Sequence, residues 1–596
     1  MKRILIIPFV FITLSLFAAP IGEKQAREIA LQFFASQGTR SASPRLEIEW
    51  AGSDIASERT INATRSSAIN NENLDEALVY IYNRTDTNGF VVVAGDDNVN
   101  KPILAFSRTN TFTMEDMPDG AKAILQGWCE QIAAARSGNN LSATTRATTY
   151  TTGEVVCEYE TALWGQGAPF KDKSPNGRIG CVTTALAIVA HYHKWPSEGF
   201  GTTAEYSYRG SDGKTHVVPA NKLGHKYNYD NMLYKYKGVN YTEKQAEAVA
   251  TFFYDIGTAV GAMFDENNTT PIFDWALGMS TYFRYNKSSI KLVSASYTSQ
   301  EWLDMLKQNL ENCGPMIYRG THETDNGGHA FVMDGYTDGN YFHFNFGWDG
   351  SSNGYYLLDN TSFPRFQAAI FYMTPDKDGT STHQDLLSLV SFTGSSGIIY
   401  KGLHTNAIDY KNEEQFATYI GLINAGNVNF SGEIGIAHCD KDNNIKKVVS
   451  SKTIDLNAEK KDEYIFTIQI STNEIEVGDK LLIVYKGKYS HNWQIARRYS
   501  DLRNPKIAYD EVLLKATAED VAESLNLTYN KGDKSLVFTS EHAIQYSMTD
   551  ASGVEVSTGN VPSFTSTTID LSSLEPGTYT CSFASGGKPY ILTLKL

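Results

Sequence analysis

The sequence predicts an α+β protein with a separate all-β part towards its C-terminal end. Helical stripes of apolar residues recur through the first half of the chain, up to about residue 312. From residue 316 to residue 358 the pattern changes to strand-like runs joined by hairpin-type turns. After residue 376 the helical stripes disappear and short alternating strands remain. These observations predict a central region with a helical half and an antiparallel β half, followed by two β-sandwich modules.

The length and the charge of the chain limit what it can be. Its 596 residues are too many for a single hydrophobic core, so several domains are expected. The net charge of −15 argues against nucleic acid and against anionic membrane surfaces as main partners.

The first residues have the pattern of a secretory signal peptide. Lys2 and Arg3 precede an apolar run at 4–17, and the small residues Ala18 and Ala19 follow it. The run is too short to span a membrane, and no later stretch is long enough to do so. We expect cleavage after Ala18 or Ala19 and a mature protein that is secreted or held at the cell surface.

Six cysteines are scattered over the chain. They stand at positions 129, 157, 181, 313, 439 and 581. Their spacing is not that of a dense disulfide framework, and no CxxC pair supports a structural zinc site. One or two single disulfides are compatible with this pattern, and so is a free, reactive cysteine.

A polar linker follows the N-terminal part of the chain. Residues 137–153 have no core-forming face, and such segments are preferred sites of proteolytic cleavage. A linker between an exported unit and a domain with a candidate nucleophile indicates a pro-segment, and an ordinary interdomain tether is the alternative. The predicted divisions are a signal peptide at 1–19, a prodomain at 20–147, a central domain at 148–376, and β-sandwich domains at 377–509 and 510–596.

The predicted elements follow from the apolar periodicity. In the prodomain, a first helix carries Ile29, Ala30, Phe33 and Phe34 on one face. The other prodomain elements are strands at 46–50, 77–82 and 90–94 and a helix at about 121–136. The central domain has predicted helices after residue 181 and at 243–263, 273–283 and 299–312, then strands at 316–318, 329–334, 341–346 and 355–358. The C-terminal strands are predicted at 415–423, 432–437, 463–470, 480–485, 525–529, 535–539, 545–549, 578–583 and 590–594.

Cys181 directly follows Gly180 and opens a helix-forming run that Pro196 stops. The first turn of a helix has backbone N–H groups without partners, and the helix dipole there favours a thiolate. A thiolate is the nucleophile of covalent acyl transfer, so Cys181 is a candidate nucleophile. A buried structural cysteine at a helix start is the alternative.

His329 stands at the start of a predicted strand, after two glycines. It lies 148 residues after Cys181, and papain-like enzymes place a histidine about 130–150 residues after the nucleophile. In that position the imidazole would take the thiol proton and later give it to the leaving amine. Taken by itself, a histidine at a strand start is more often structural.

Three further residues complete the candidate site. The amide of Asn345 could hold the imidazole in the productive tautomer, and Trp348 could cover that contact. Gln166 lies upstream of Cys181, and its amide could join the Cys181 N–H in an oxyanion hole. A strand-end asparagine and a core tryptophan are the alternatives for Asn345 and Trp348.

The central region resembles the streptopain family of secreted bacterial cysteine peptidases, a branch of the papain-like clan. The resemblance rests on residues 164–166, on 180–185 with 193–196, on 328–336, on 345–350 and on 354–356. Residues 21–136 resemble the inhibitory prodomain of that family, notably at 89–97.

The resemblance implies a papain-like catalytic domain with Cys181 as nucleophile, His329 as general base and Gln166 as oxyanion donor. It implies that Trp348 packs by the catalytic histidine and that the pocket next to the scissile bond prefers an apolar side chain. The whole chain would be a secreted endopeptidase made as a zymogen, with protein or peptide substrates, its own prodomain as inhibitor, and no cofactor or metal. Where family members often have Trp-Gly-Trp-Gly-Gly, this chain has Phe-Gly-Trp-Asp-Gly at 346–350, a departure that concerns details of the cleft.

Residues 510–596 are similar to C-terminal β modules of exported Bacteroidetes proteins, on the evidence of 546–553 and 570–579. Some such modules are sorting signals for secretion and surface attachment, and others are accessory domains. The sequence is compatible with both roles.

Three other functions are compatible with parts of the sequence. A metal-dependent hydrolase would use His191, His193 and His322, but i,i+2 spacing points the first two rings apart on a helix, and 322–323 lacks the second histidine of HExxH. A catalytically silent adhesion protein would leave Cys181 and His329 without a use. A papain-like transferase, such as a transglutaminase, shares the logic of this dyad.

Overall fold

The computed structural model of the chain describes most of its length. The described residues are 20–36, 44–53, 76–97, 99, 101–115, 117–137, 151–265, 269–321, 328–358, 366–393, 399–400, 402–405, 407, 412–499, 510–563 and 565–596. The predicted signal peptide at 1–19, residues 138–150 of the predicted linker, and His322 lie outside the described residues.

The chain divides into two compact units. The first contains residues 1–198, 203–272 and 307–367, and the second contains residues 199–202, 273–306 and 368–596. The domain boundaries derived from the sequence differ from this division and stay predictions.

The N-terminal elements of the first unit confirm the predicted order of helices and strands. In chain order they are α1 (Glu23–Ser36), β1 (Leu46–Gly52), β2 (Val79–Arg84), β3 (Phe90–Ala94), β4 (Ile103–Ser107) and α2 (Asp119–Arg136). The predicted face of α1, with Ile29, Ala30, Phe33 and Phe34, is buried. Strand β4 was not predicted, because its short run has neither polar alternation nor the successive valines of the equally buried β3.

The predicted helices and strands of the central region are also confirmed. In chain order the elements are β5 (Val155–Glu158), α3 (Cys181–His193), β6 (Tyr206–Arg209), β7 (Thr215–Val218), α4 (Glu243–Val260), α5 (Trp275–Phe283), β8 (Ile290–Val293), α6 (Ser299–Cys313), β9 (Met316–Thr321), β10 (His329–Thr337), β11 (Tyr341–Asn345), β12 (Gly354–Leu357) and β13 (Phe366–Phe371). Helix α4 has sharp ends because Thr242 and Gln245 form a capping box at its start and Gly261 adopts the left-handed conformation after it.

An antiparallel sheet runs through the first unit in the order β1-β2-β3-β4-β12-β11-β10-β9, and β5 pairs with the end of β10. The N-terminal strands join the central strands where Tyr355 and Tyr356 of β12 pair with Phe106 and Ala105 of β4. The N-terminal part is therefore an extension of the sheet that carries His329.

Both faces of this sheet are covered by helices from the N-terminal part. Tyr355 packs in one core with α1, and the next residue, Tyr356, stacks on Trp128 of α2 with ring centroids 6.2 Å apart. Successive residues of a strand point to opposite faces, so α1 and α2 lie on opposite sides of the sheet. Helix α3 also packs on β10, which brings its first residue to the strand that begins with His329.

In the second unit, β13 pairs with β8, and the part after residue 376 consists mainly of strands. Its elements are β14 (Leu387–Leu389), β15 (Phe392–Thr393), β16 (Ile399–Tyr400), β17 (Leu403–Thr405), β18 (Gln415–Asn424), β19 (Phe430–Cys439), β20 (Ile445–Leu456), β21 (Lys461–Gln469), β22 (Lys480–Gly487), β23 (Gln494–Ile495), β24 (Arg497–Arg498), β25 (Val512–Leu513), α7 (Ala518–Ser524), β26 (Asn526–Asn530), β27 (Ser535–Thr539), β28 (Ile544–Thr549), β29 (Glu555–Val561), β30 (Thr567–Asp570), β31 (Thr578–Ala584) and β32 (Tyr590–Lys595).

These C-terminal strands form pairs of sheets. The sheets around β17-β18-β14-β24 and β20-β19-β22-β23 share a hydrophobic core, in which Ile420 and Ile434 are fully buried. The sheets β26-β27-β30 and β29-β28-β31-β32 share another, around Leu536 and Phe583. The predicted C-terminal strands are confirmed by these elements.

Two sequence expectations can be compared with the described part of the chain. None of the six cysteines, all of which are described, forms a disulfide bond. Within the described ranges, no helix combines the length and the apolar character needed to cross a membrane.

Candidate active site

Cys181 is the first residue of α3 and is half-buried. The residue before it, Gly180, has a φ of 87°, a backbone conformation that residues with a side chain rarely adopt. A Cβ on Gly180 would also lie 2.4 Å from Oγ1 of Thr269. Glycine before Cys181 therefore has a steric explanation. A side chain at position 180 would be strained and would overlap Thr269.

Opposing effects act on the thiol of Cys181. Burial raises the pKa of Cys181 above its usual value, and this effect prevails. The Ala330 N–H, which donates to Sγ at 3.5 Å, the charge of Arg319 and the N–H groups at the helix start lower that pKa. The predicted effect of the helix start is present, but burial outweighs it in this structure.

His329 is the first residue of β10 and lies opposite Gly320 of β9. The next residue, Ala330, is the one that donates to the sulfur of Cys181, so the fold brings the predicted nucleophile and base together. Nδ1 of His329 lies 4.0 Å from Oδ2 of Asp119, the first residue of α2.

Gln166 is half-buried and follows a segment that Trp164 anchors. The indole N–H of Trp164 donates to the Leu233 carbonyl at 2.7 Å, and its own carbonyl accepts from the Asp349 N–H at 3.0 Å. These bonds tie the segment of Gln166 to the loop at 345–350. The role of Gln166 as oxyanion donor stays a prediction.

Asn345 is fully buried at the end of β11. Its Nδ2 donates to Thr161 Oγ1 at 2.9 Å and to the Ala162 carbonyl at 3.0 Å, and its Oδ1 accepts from the Gly347 N–H at 3.1 Å. Both ends of the amide are thus engaged with the segment at 161–162 and with its own loop. The predicted role of orienting His329 stays a prediction.

Trp348 lies in the same loop and is half-buried. Its neighbours Gly347 and Asp349 both have positive φ values, of 67° and 55°. A Cβ on Gly347 would lie 2.8 Å from Cγ2 of Thr184, so the loop rests directly on the helix that begins with Cys181. The packing of Trp348 by the catalytic histidine stays a prediction.

The N-terminal part of the chain contacts this loop as well. Nδ2 of Asn110 donates to the carbonyls of Gly350 and Asn353, at 2.8 Å and 3.2 Å. A Cβ on Gly120, in the first turn of α2, would lie 3.0 Å from the ring of Phe346. Sequence reasoning missed Asp119 and Asn110, because a short polar side chain at a helix start or in a connecting segment gives no sign of a partner more than 200 residues away.

A buried network below the site was also missed. Nδ1 of His343 lies 2.5 Å from Oδ1 of Asp334, whose Oδ2 accepts from Thr161 Oγ1 at 2.5 Å. Burial lowers the pKa of His343, but the carboxylates of Asp334 and Glu158 outweigh it and the pKa is raised. Since Thr161 also bonds to Asn345, the network holds the strand end beside the site. The only sign in the sequence was one acidic residue in an otherwise apolar strand.

Two of the three histidines of the metal alternative, His191 and His193, lie on the last turn of α3, and His322 lies outside the described residues. The ring centroid of His191 is 4.5 Å from that of Trp164, and burial lowers the pKa of His191 to about 4. Among the described residues there is no group of three or more His, Cys, Asp or Glu side chains that could hold a metal ion.

Comparison with known proteins identifies both parts of the first unit. Residues 164–356 match the model of the Peptidase C10 family, and residues 18–132 match the model described as Spi protease inhibitor. In solved structures, the chain is similar to a fragment of prointerpain A from Prevotella intermedia, with 28% identity over 50% of this chain and 95% of that chain and a TM-score of 0.42.

Two curated proteins are similar to this chain in sequence. The thiol protease/hemagglutinin PrtT of Porphyromonas gingivalis is 29% identical over 57% of this chain, and streptopain of Streptococcus pyogenes is 25% identical over 56% of it. The chain covers 39% of the length of PrtT and 84% of that of streptopain. With Cys181 at a helix start and His329 on the strand beside it, the matched region at 164–356 is a cysteine peptidase region of the Peptidase C10 type.

Proposed function

We propose that the chain is a secreted cysteine endopeptidase that is made as a zymogen and activated by cleavage of its prodomain. The observation that carries the proposal is the hydrogen bond from Ala330, the residue after His329, to the sulfur of Cys181. It supports a Cys181–His329 dyad, because a thiol needs a general base within reach to act in acyl transfer.

In the proposed reaction, His329 takes the proton of the Cys181 thiol, and the thiolate attacks the carbonyl carbon of the scissile bond. The Cys181 N–H and the amide of Gln166 stabilise the oxyanion that forms. The imidazolium then protonates the leaving amine, the C–N bond breaks and a thioester remains. His329 removes a proton from water, the hydroxide attacks the thioester, and the carboxylic acid leaves as Cys181 regains its proton.

For Asn345 and Trp348 we propose supporting roles. The three hydrogen bonds of Asn345 favour a role in fixing the end of β11 and the loop that follows. That loop carries Trp348, which would cover His329 and keep water from it once the prodomain has left.

The proposed prodomain keeps the enzyme latent by restraining both His329 and this loop. The charge of Asp119 holds the ring of His329, and Asn110 holds the loop at Gly350. The pairing of β4 with β12 joins these contacts to the sheet itself. On release, His329 loses the contact with Asp119 and acts on Cys181.

Contacts of residues 152–154 limit where the activating cut can lie. The carbonyl of Thr152 accepts from Thr337 Oγ1 at 2.6 Å, and the Glu154 N–H donates to Oδ1 of Asp338 at 2.9 Å. Both partners belong to the catalytic part, so residues from Thr152 onwards are anchored there. We therefore place the proposed cut within 137–151, inside the predicted linker.

The remaining parts of the chain support export. Residues 1–19 have the pattern of a signal peptide, and we propose that residues 377–509 and 510–596 form two accessory β-sandwich domains. The shared cores of the C-terminal sheets support this architecture. The last domain is the proposed point of surface attachment or sorting.

The test is hydrolysis of casein by the purified protein, with and without a thiol-directed inhibitor, beside the Cys181→Ala protein. We expect inhibitor-sensitive hydrolysis that begins as the N-terminus moves into 138–152. Hydrolysis by Cys181→Ala above background would contradict the proposed nucleophile. A full-length precursor that is fully active before any cut would contradict latency and leave the peptidase activity standing.

A further inference from the structure

Arg319 lies beside Cys181 and His329 and has no part in the proposed reaction. It belongs to β9 and pairs with Ala330 of β10, whose N–H donates to the sulfur of Cys181. Directly opposite residues of an antiparallel pair point to the same face of the sheet. The side chain of Arg319 therefore leaves the sheet next to the hydrogen bond that holds the nucleophile.

The contact with Gly328 fixes the position of the guanidinium. A Cβ on Gly328 would lie 2.5 Å from Nε and 2.9 Å from Nη2 of Arg319. The glycine before His329 therefore leaves the space that this cation fills. Arg319 is half-exposed and stands on a strand, so the cation is both accessible and held by a rigid element.

The charge of Arg319 acts on the thiol of the nucleophile. Among charged side chains it has the largest effect on the pKa of the Cys181 thiol, which it lowers. Coulomb interactions weaken with distance, so this effect agrees with a guanidinium close to the sulfur. A guanidinium has five N–H donors in a planar fork, and it can bind a carboxylate through two of them while others contact the protein.

We propose that Arg319 is a specificity-determining residue that binds the carboxylate of an acidic substrate side chain next to the scissile bond. This inference rests on the proposed peptidase function. The family resemblance implies an apolar side chain in that pocket, and Arg319 is the feature of this chain that changes the preference.

The test uses mature enzyme obtained from the full chain and a set of fluorogenic peptides. A single Glu is moved through each position on either side of the cleaved bond and is compared with Gln at the same place. At one position we expect Glu to raise kcat/KM about tenfold or more over Gln, since a hydrogen bond to a charged group is worth at least that factor.

Variants of Arg319 separate recognition from general activity. Arg319→Gln should bring the Glu-to-Gln ratio to about one while Gln peptides are still cleaved, and Arg319→Lys should keep part of the preference. Arg319→Glu should prefer Lys over Gln at the same position. The matched control is Arg209→Gln, an exposed arginine on β6, which should keep the wild-type ratio.

Two results would overturn the inference: equal cleavage of Glu and Gln peptides by the wild type at every position, or a Glu preference that persists in Arg319→Gln. Labelling of Cys181 by iodoacetamide checks that each variant is folded. If Arg319→Gln does not fold, the test uses the Glu-to-Gln ratio of kcat/KM in the wild type and in Arg319→Lys. A wild-type ratio of about one, or an undiminished ratio in Arg319→Lys, would then overturn the inference. The proposed peptidase function has a separate test. It is contradicted if the Cys181→Ala protein, after its trimming by active enzyme, still cleaves the Gln peptides.

Discussion

Replacing Asp119 by Asn tests whether the N-terminal part restrains His329 by charge. In the structure Nδ1 of His329 lies 4.0 Å from Oδ2 of Asp119, and the two side chains are 24% and 57% exposed. A carboxylate paired with a charged imidazole and exposed to this degree contributes about 0.2–1 kcal/mol. Loss of the pair should therefore shift the balance between restrained and released His329 by a factor of about 1.4–5.

We expect the intact Asp119→Asn precursor to cleave a fluorogenic peptide about 1.4–5 times faster than the wild-type precursor, from the same free energy. Initial rates are extrapolated to zero time, and gels confirm that the chain is still full length. Salt screens exposed charges, so the wild-type rate should rise towards that of the variant as ionic strength increases. Once the prodomain has been cut off and degraded, the two enzymes should have equal rates, because Asp119 is lost with it.

Glu130→Gln is the matched control, because it removes a carboxylate from the same helix. In the structure this carboxylate accepts a hydrogen bond from Gln126. Its precursor should keep the wild-type rate. An unchanged rate in Asp119→Asn as well would refute restraint by charge and leave Asn110 and the β4–β12 pairing as the restraints. A gain far above fivefold would show that Asp119 also holds the prodomain in place.

The other predictions concern the site itself. Cys181→Ala should abolish proteolysis, and His329→Ala should be nearly as damaging, with a double variant no slower than either, as measured by peptide cleavage. Gln166→Ala should lower kcat roughly a hundredfold, and an unchanged kcat would remove it from the oxyanion hole. Asn345→Ala should lower the free energy of unfolding by about 1–3 kcal/mol in denaturant titrations, because its buried partners lose their hydrogen bonds. Gly180→Ala should lower the melting temperature, and an unchanged value would contradict the strain argued from its φ of 87°.

Periodicity located the helices because most of them bury one stripe against a sheet or another helix. Helix α3 was predicted from the helical spacing of its apolar residues and from the stop at Pro196, although residues 182–190 are all buried and the helix has no polar face there. Strand β4 was missed because it lacks polar alternation and also lacks the run of valines by which the equally buried β3 was recognised. Periodicity also carries no information about which elements pack together, and so the two compact units could not be derived from it.

The site could be predicted in its reactive groups but not in its surroundings. Glycines at 180, 328 and 347 were visible as a pattern, and the structure explains each by a side chain that fills the space of the absent Cβ. Those neighbours are Thr269, Arg319 and Thr184, and two of them come from segments far away in sequence. Contacts of this kind depend on tertiary packing, which no local pattern encodes.

The pairing of β4 with β12 has a consequence for the course of activation. A cut within 137–151 breaks none of the hydrogen bonds between these strands, so the N-terminal part remains seated on the sheet edge. Before the cut it is tethered, with an effective local concentration on the order of millimolar. After the cut it becomes a dissociable ligand, and its occupancy follows the total protein concentration. Dilute enzyme should thus gain activity promptly after the cut, whereas concentrated enzyme should stay inhibited until the released part is itself degraded.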